Sequence, residues 1–397
     1  MENNPGRDIN PDIDLWEKVG VQNDAMEIIA GKNRSFSQDV FLRFRKRGTA
    51  VAGFIVVALL ILFALLGPRL SGHTYFEQNL SFVNIPPYFT AWNISRGPET
   101  VYAYITQNLK LVEVNGKGKL AAAIPFLRED IAGKRIMFDY KGSVVAIDYS
   151  DRAAGLRLVN ESGAVFETKT MRNGSYLLGT DMLGRDLLTR LMYGARISLT
   201  VAFIAAFINL VIGIIYGGIS GYLGGNIDNI MMRVVDIIST IPLTLYVILI
   251  MVILDSGFAS IIVALSSVYW VGMARVVRAQ ILAMKEQEFV MAARTIGTSP
   301  LNIVIRHLIP NCLGPIIVTA TMLVPSAIFV EAFMSFIGLG VSAPMASWGT
   351  MCNDALETMK SMPYQLFAPA FAICLTMFAF NFIGDGLRDA LDPKLKK

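Results

Sequence analysis

Six long runs without a formal charge constrain this sequence more than any other feature. The first is Thr49 to Pro68, closing on Gly67-Pro68. The second is uncharged from Ile197 to Ile227, with an apolar core from Val201 to Ile219. A third fills Ile237 to Leu254, and a fourth lies between Asp255 and Arg275. The fifth runs from Leu308 to Val330 and the sixth from Leu366 to Ile383. The hydrocarbon core of a bilayer takes about 20 apolar residues of helix. One such run could be a buried helix of a soluble domain. Six cannot all be wrapped by a 397-residue chain of which only 17% is charged. The expected fold is an all-α polytopic membrane protein with six transmembrane helices.

Some 48 mostly polar residues precede the first run, and no small-residue cleavage pattern follows it, so it is expected to remain as a span. Lys and Arg near span ends mark the cytoplasmic side. Arg43, Arg45, Lys46 and Arg47 crowd the entry to the first span, which makes residues 1–48 a cytoplasmic segment and 49–70 the first transmembrane helix. An even count returns the tail, 389–397, to the cytoplasm, where Arg388, Lys394, Lys396 and Lys397 agree. The loop between runs four and five carries Arg275, Arg278, Lys285, Arg294 and Arg306, whereas the outer connection between runs five and six carries only Lys360. The reading is a multi-pass protein of the cell (inner or plasma) membrane with both termini inside and the lipid bilayer as its surroundings. A net charge of +4 is too slight to argue for nucleic acid. Cys312, Cys352 and Cys374 lie too far apart for a disulfide framework or a metal site, and no metal is expected.

Between the first two spans the composition changes. From 71 to 179, short β-rich runs recur at Val101–Thr106, Leu111–Val114, Lys134–Tyr140, Ser143–Tyr149, Gly155–Val159 and Val165–Thr168. Asn115-Gly116, Lys141-Gly142 and Ser162-Gly163 punctuate them as turns. This predicts a small, mostly β, extracytoplasmic domain inserted before a permease core at 180–388, serving either as a binding module or as a spacer.

The inner loop at about 276–311 carries the most specific local pattern. Ile281 to Ile296 contains no Gly or Pro and is expected to be helical. Gly297 stands where a residue just past a helix adopts the left-handed conformation that glycine tolerates best. Ser299 can cap a following helix and Pro300 suits its first position. Two short helices around a tight bend are therefore expected, with Pro310 where the second meets span five. On the first helix, Phe289, Ala293 and Gly297 follow at intervals of four, flanked by Ala292 and Ile296. That face either docks into a groove of a partner or packs on the chain's own helices.

Glu288-Phe289-Val290-Met291-Ala292-Ala293-Arg294-Thr295-Ile296-Gly297, followed by Arg306-His307-Leu308-Ile309-Pro310-Asn311, resembles the EAA loop of ABC-importer permeases. Ala292, Ala293, Gly297 and Pro310 match at the family's spacing, while Met291 replaces its Glu, His307 its first Ile and Ile309 its Leu. Three further stretches resemble the C-type permease subunit of dipeptide/oligopeptide importers. They are Leu178–Asp181 with Gly184–Asp186 and Tyr193–Leu199, then Phe336–Val341 with Ser347-Trp348-Gly349, and finally Gly384–Pro393. The inserted domain is much longer than the family's usual connection there. The resemblance implies a type I ABC importer permease fold. It also implies coupling to separate ATPases through Glu288, Phe289, Ala292, Ala293, Arg294, Gly297 and Pro310. The partners it implies are a second homologous permease, two ATPase subunits carrying ATP and Mg, and an extracellular peptide-binding protein. This chain would itself bind no cofactor and would not be an enzyme.

The residues agree with that division of labour, since no G-x-x-x-x-G-K-[S/T] loop occurs and only two histidines, His73 and His307, are present. Asn209, Ser266, Ser267 and Asn381 are candidate pore or gate residues, although helix-to-helix hydrogen bonds explain such groups equally well. Asp228, Arg233 and Asp236 precede span three and read as interfacial pairing. Pro242, Pro315, Pro325 and Pro369 are candidate kinks. A stand-alone, ion-coupled secondary transporter or channel is the alternative; it calls for acidic or broken-helix sites near mid-bilayer, and no acidic residue falls at mid-span. A membrane-anchored sensor would need an inner output domain larger than these loops provide.

Overall fold

The computed structural model describes residues 35–95, 100–151, 155–255 and 257–392; most of the N-terminal segment, and Lys394, Lys396 and Lys397 of the tail, lie outside the described residues. Ser35 opens helix α1 (Phe36–Lys46) through a capping box with Gln38, and the last turn of α1 carries Arg43, Arg45 and Lys46. Helix α2 (Gly48–Leu70) follows at once and runs through Gly67-Pro68 rather than ending there. Pro68 has no N–H to give the Ala64 carbonyl. Arg196 fills that gap, its Nε and Nη2 donating to Ala64 O at 3.3 and 3.2 Å.

Among its described residues the inserted domain has nine strands. A five-stranded antiparallel sheet orders β4 (Leu120–Ala123), β3 (Leu111–Asn115), β2 (Val101–Ile105), β1 (Tyr88–Asn93) and β9 (Thr168–Arg172). A second sheet orders β5 (Phe126–Asp130), β6 (Arg135–Tyr140), β7 (Ser143–Asp148) and β8 (Arg157–Asn160). Five of the six expected runs fall on strands, and the sixth slips: Val165 only bridges Val159, while β9 starts at Thr168. Lys141 and Gly142 both have positive φ, as a two-residue hairpin turn requires. The sheets face each other across Leu111, Ile136, Phe138, Ile147 and Leu158. The other face of the five-stranded sheet is covered by Phe82, Ile85 and Tyr176.

A polar seam ties this domain to the spans. Thr180 N–H donates to Ile85 O at 2.9 Å, the Tyr364 hydroxyl donates to Ile85 O and to Thr180 O at 3.2 Å each, and Gln365 Nε2 donates to Thr180 O at 2.9 Å. The domain thus rests directly on the bundle at what is called here its β end.

The spans pack around a main apolar core, with two smaller clusters around Trp348 and around Trp270. Helix α3 (Leu187–Leu223) is capped by Asp186, whose Oδ2 accepts the Thr189 N–H at 2.9 Å, and starts ten residues before the uncharged run. At 37 residues it reaches about 55 Å, well beyond a bilayer core. Helices α4 (Gly225–Thr240) and α5 (Leu243–Leu254) meet at 85°. The sequence places one span at Ile237–Leu254 with Pro242 as a candidate kink; the structure bends it sharply at Ile241-Pro242, where proline supplies no N–H to carry the helix forward. Helices α6 (Phe258–Val268) and α7 (Trp270–Met284) join at Tyr269 into one span. After α7 come α8 (Glu288–Thr295), α9 (Pro300–Asn302), a π-helical stretch Ile303–Leu308, α10 (Ile309–Asn311), α11 (Leu313–Phe336), α12 (Trp348–Asp354) and α13 (Tyr364–Leu391). Among the described residues five helices are long and apolar enough to cross a membrane, and the bent pair makes six.

Helices α3 and α7 approach through Gly213, Gly217 and Gly221, spaced by four on α3. A Cβ at Gly217 would lie 2.4 Å from the Ala274 carbonyl oxygen, so only hydrogen fits there. Gly217→Val is expected to push the helices apart at a cost of about 1–3 kcal/mol. Size-exclusion chromatography in detergent should show the yield of monodisperse protein falling by roughly tenfold.

Candidate functional site

The end of the bundle away from the β domain is built by the start of α2, the ends of α3, α7 and α13, and the segment between α7 and α11. Gly386 of α13 sits against Ala50 of α2, and Gly221 of α3 against Arg278 of α7. The expected helix over Ile281–Ile296 is divided: α7 stops at Met284 and α8 starts at Glu288. Helix α8 then ends at a bend centred on Gly297, with φ of +79°. Thr298 N–H donates to Ala293 O and Gly297 N–H to Arg294 O, each at 3.0 Å, the two bonds of a Schellman motif. Ser299 precedes Pro300 in an extended conformation, but its side chain makes no capping bond. Pro310 lies in the last short helix before α11, as the spacing predicts.

The faces of α8 divide differently from the sequence reading. Ala293 is only 4% exposed and, with Val290, packs into the core of the bundle beside Ile303 and Leu308. It therefore cannot belong to a docking face, which corrects the grouping of Phe289, Ala293 and Gly297. The outward surface is Glu288, Phe289, Met291, Ala292, Arg294, Thr295 and Ile296, with Phe289 at 39%, Met291 at 47% and Ile296 at 81% exposure. An eight-residue helix whose inner face has a buried anchor every third residue turns its second small residue, Ala292, outward. The Arg294 guanidinium lies 5.6 Å from the centre of the Tyr222 ring, pinning α8 to the end of α3. The result is a short helical elbow, packed on the bundle through Val290 and Ala293, with one exposed mixed apolar and charged face.

The interfacial charges pair between helices rather than along α4. Arg278 grips Asp228 at 2.5 Å and 2.6 Å, and Arg275 meets Asp236 at 3.0 Å. Both pairs fix α4 on α7 just outside the bend.

At that bend a cleft of about 390 Å³ opens, lined by Ser239, Thr240, Pro242 and Leu243, by Tyr269 at the break between α6 and α7, and by Thr319 on α11. Ser239 donates to Val235 O and Thr319 to Pro315 O within their own helices, the Tyr269 hydroxyl reaches Ser326 O of α11 at 3.5 Å, and Arg275 donates to Ser239 Oγ at 2.9 Å. No Asp, Glu, Lys or Arg is among the residues lining the cleft. None of the four candidate pore residues lines it. Asn209 is buried and donates to Ala205 O at 2.7 Å, Ser267 donates to Ala264 O at 2.7 Å, Ser266 is buried, and Asn381 is exposed on α13. Of the candidate kinks, Pro242 marks the bend, while Pro325 and Pro369 sit inside helices that continue past them. Among the described residues no cluster of His, Cys, Asp or Glu could hold a metal ion.

Sequence reasoning missed two polar nodes at the β end. Glu331, fully buried on α11, lies one residue beyond the run that was read as span five. Asp181, Arg185, Arg190 and Asp354 form a network of four ion pairs between 2.6 and 3.2 Å. The signal available was a charged residue inside a helix longer than its uncharged run.

Residues 210–397 match the family described as binding-protein-dependent transport system inner membrane component, and residues 35–87 match the N-terminal TM domain of oligopeptide transport permease C. The chain is 36% identical over 383 residues to the oligopeptide transport system permease protein OppC of Bacillus subtilis (strain 168), covering 96% of this chain and 98% of that one. It is 38% identical over 364 residues to the dipeptide transport system permease protein DppC of the same organism, covering 91% and 87%. With OppC of Escherichia coli (strain K12) it shares 50% identity over 224 residues, 56% of this chain and 74% of the relative.

Proposed function

Because the chain belongs to the family of binding-protein-dependent transport system inner membrane components, we propose that it is the C-type permease of an ATP-driven importer of dipeptides or oligopeptides. In this reading it forms half of a translocation path with a second permease. The elbow end faces the cytoplasm, the β domain faces outward, and both termini are inside. The concentration of Arg43, Arg45, Lys46, Arg294 and Arg306 at the elbow end supports that orientation. ATP and Mg would be handled by two separate ATPase subunits, and a peptide-binding protein would deliver solute at the β end.

The observation that carries the reading is the exposed elbow of Glu288–Gly297. A docking helix transmits work only if its fit to the partner differs between two states. That requires a short, anchored lever, and α8 is one: held inside by Val290 and Ala293, stopped by Gly297, and exposed through Phe289 and Ala292. The uncharged cleft at the bend between α4 and α5 suits peptides of varied side chains, since its walls select neither charge. The bend there gives the path a place to flex.

Ala292→Arg tests the docking face. It is expected to lower co-purification of the ATPases by about tenfold, as one bulky charge in a small apolar contact costs roughly 1–3 kcal/mol, with the permease itself remaining monodisperse. Ala293→Arg, by contrast, is expected to disrupt the permease's own packing and its yield. Normal ATPase stoichiometry with Ala292→Arg would count against α8 as the docking element.

A further inference from the structure

Glu331 has no part in the elbow or the cleft, yet it is 0% exposed inside a spanning helix. Buried carboxyls in spans are rare and tend to serve a function. Among the described residues no Lys or Arg pairs with it; its partners are two hydroxyls, one from α3 and one from the next turn of its own helix. Ser198 of α3 donates to Oε2 at 2.8 Å, and Ser335 of α11 donates to Oε1 at 2.9 Å. Both serines in turn receive the start of α12. The Trp348 N–H donates to Ser198 Oγ, and the Ser347 hydroxyl to Ser335 Oγ, each at 3.3 Å.

Helix α12 is short and would otherwise be free to lift as a lid over the β end. Its setting argues the opposite. The Trp348 indole N–H donates to Leu191 O at 3.1 Å, and a Cβ at Gly349 would lie 2.5 Å from Ala332 O, so α12 sits directly on the backbone of α11. At the other end Asp354 receives Arg190 at 2.9 Å and Arg185 at 3.2 Å. Two polar clasps, one at each end, hold one short helix. The clasp at Glu331 is the one that joins all three elements, because this α11 side chain takes a donor from α3 on one oxygen and Ser335 on the other, and both serines receive the start of α12.

We propose that Glu331 is a positioning residue that clasps α12 to α3 and α11, so that the three move as one body while transport strain falls on the bend at Ile241-Pro242. The statement about transport rests on the importer reading above; the statement about the clasp rests on the fold alone.

Cys352 on α12 is a built-in reporter: it is buried, and burial pushes its thiol up to about 12, so that alkylation follows exposure of the site. The experiment uses the assembled transporter in nanodiscs with Cys312→Ala and Cys374→Ser, leaving Cys352 as the reporting thiol, and measures N-ethylmaleimide labelling at rest and during ATP turnover. With Glu331 intact, labelling is expected to be slow and equal in both conditions. Glu331→Leu removes both acceptors, and labelling at rest should accelerate by about tenfold or more, with ATP hydrolysis per solute imported rising several-fold. Glu331→Gln keeps hydrogen-bonding capacity, since serine hydroxyls donate or accept, and should stay within about threefold of the unsubstituted protein in both readouts. Faster labelling of the intact protein during turnover would show α12 to be a separate lid and overturn the proposal. Unchanged labelling in Glu331→Leu would also overturn it, as would a Gln variant as labile as the Leu one. Should Glu331→Leu fail to fold, the pair Ser198→Ala and Ser335→Ala removes the donors instead, and unchanged resting labelling in that pair overturns the clasp. Labelling at rest needs no transport, so failure of the importer reading alone would leave that arm intact.

Discussion

Gly297→Val is expected to lower ATP-driven uptake by more than about tenfold while leaving the amount of folded permease nearly unchanged. The reason is confined to the backbone. Gly297 has φ of +79°, and nothing lies within 4 Å of where a Cβ would be, so a side chain meets no steric obstacle there. What it meets is the left-handed region itself, where a β-branched residue is strained by about 1–3 kcal/mol. At roughly 1.4 kcal/mol per tenfold, that strain shifts the elbow out of its Schellman geometry in most molecules. Straightening frees the Ala293 and Arg294 carbonyls and moves the exposed face of α8 relative to the bundle. Gly297→Asn is the control: asparagine tolerates this conformation, and uptake should stay within about threefold. Uptake and substrate-stimulated ATPase activity, measured together, check both expectations. Wild-type coupling in the Val variant would remove the elbow's shape from the account.

The second large effect is on stability. Asp181 is 5% exposed and accepts four hydrogen bonds: Leu183 and Arg185 N–H on Oδ1 at 2.9 Å each, Arg185 Nε at 2.7 Å and Arg190 Nη1 at 2.6 Å on Oδ2. Arg190 is itself 3% exposed. Removing one partner of a buried pair leaves the other charge stranded, and such truncations cost about 3–5 kcal/mol. In Asp181→Ala, Arg190 would retain only Asp354, whose side chain is half-buried and partly hydrated. The unfolding midpoint of the detergent-purified permease is expected to fall by on the order of 10 °C. Asp39→Ala removes the partly exposed pair with Arg43 one helical turn away and should shift the midpoint by no more than a few °C. A drop in Asp181→Ala no larger than in Asp39→Ala would mean that the network does not hold the β end together.

Spans were legible because apolar length is a property of sequence alone, and the Gly297 bend because a glycine between two helical stretches has few other uses. The 85° bend was only half legible: Pro242 was visible as a kink, but a proline gives no angle, which here depends on Arg278 and Arg275 fixing α4 to α7. The inward turn of Ala293 could not be read, because a small residue fits a partner's groove and its own core equally well. Strands β1, β4 and β5 went unnoticed for a related reason. Leu120–Ala123 has almost no β-branched content, and Phe126–Asp130 ends in charges, so tertiary pairing rather than local preference makes them strands. Glu331 and Arg190 were missed because runs were bounded by charge, and a helix that satisfies a charge internally continues past it.

The central claim is that this chain moves solute only when its elbow is gripped by an ATP-hydrolysing partner. Proteoliposomes holding the permease pair and its ATPases, supplied with binding protein and labelled oligopeptide, test it against vesicles holding this chain alone under an imposed proton or sodium gradient. Uptake that needs ATP and the ATPases, with none in the second vesicles, is the predicted result. Peptide accumulation by the chain alone on an ion gradient would contradict it.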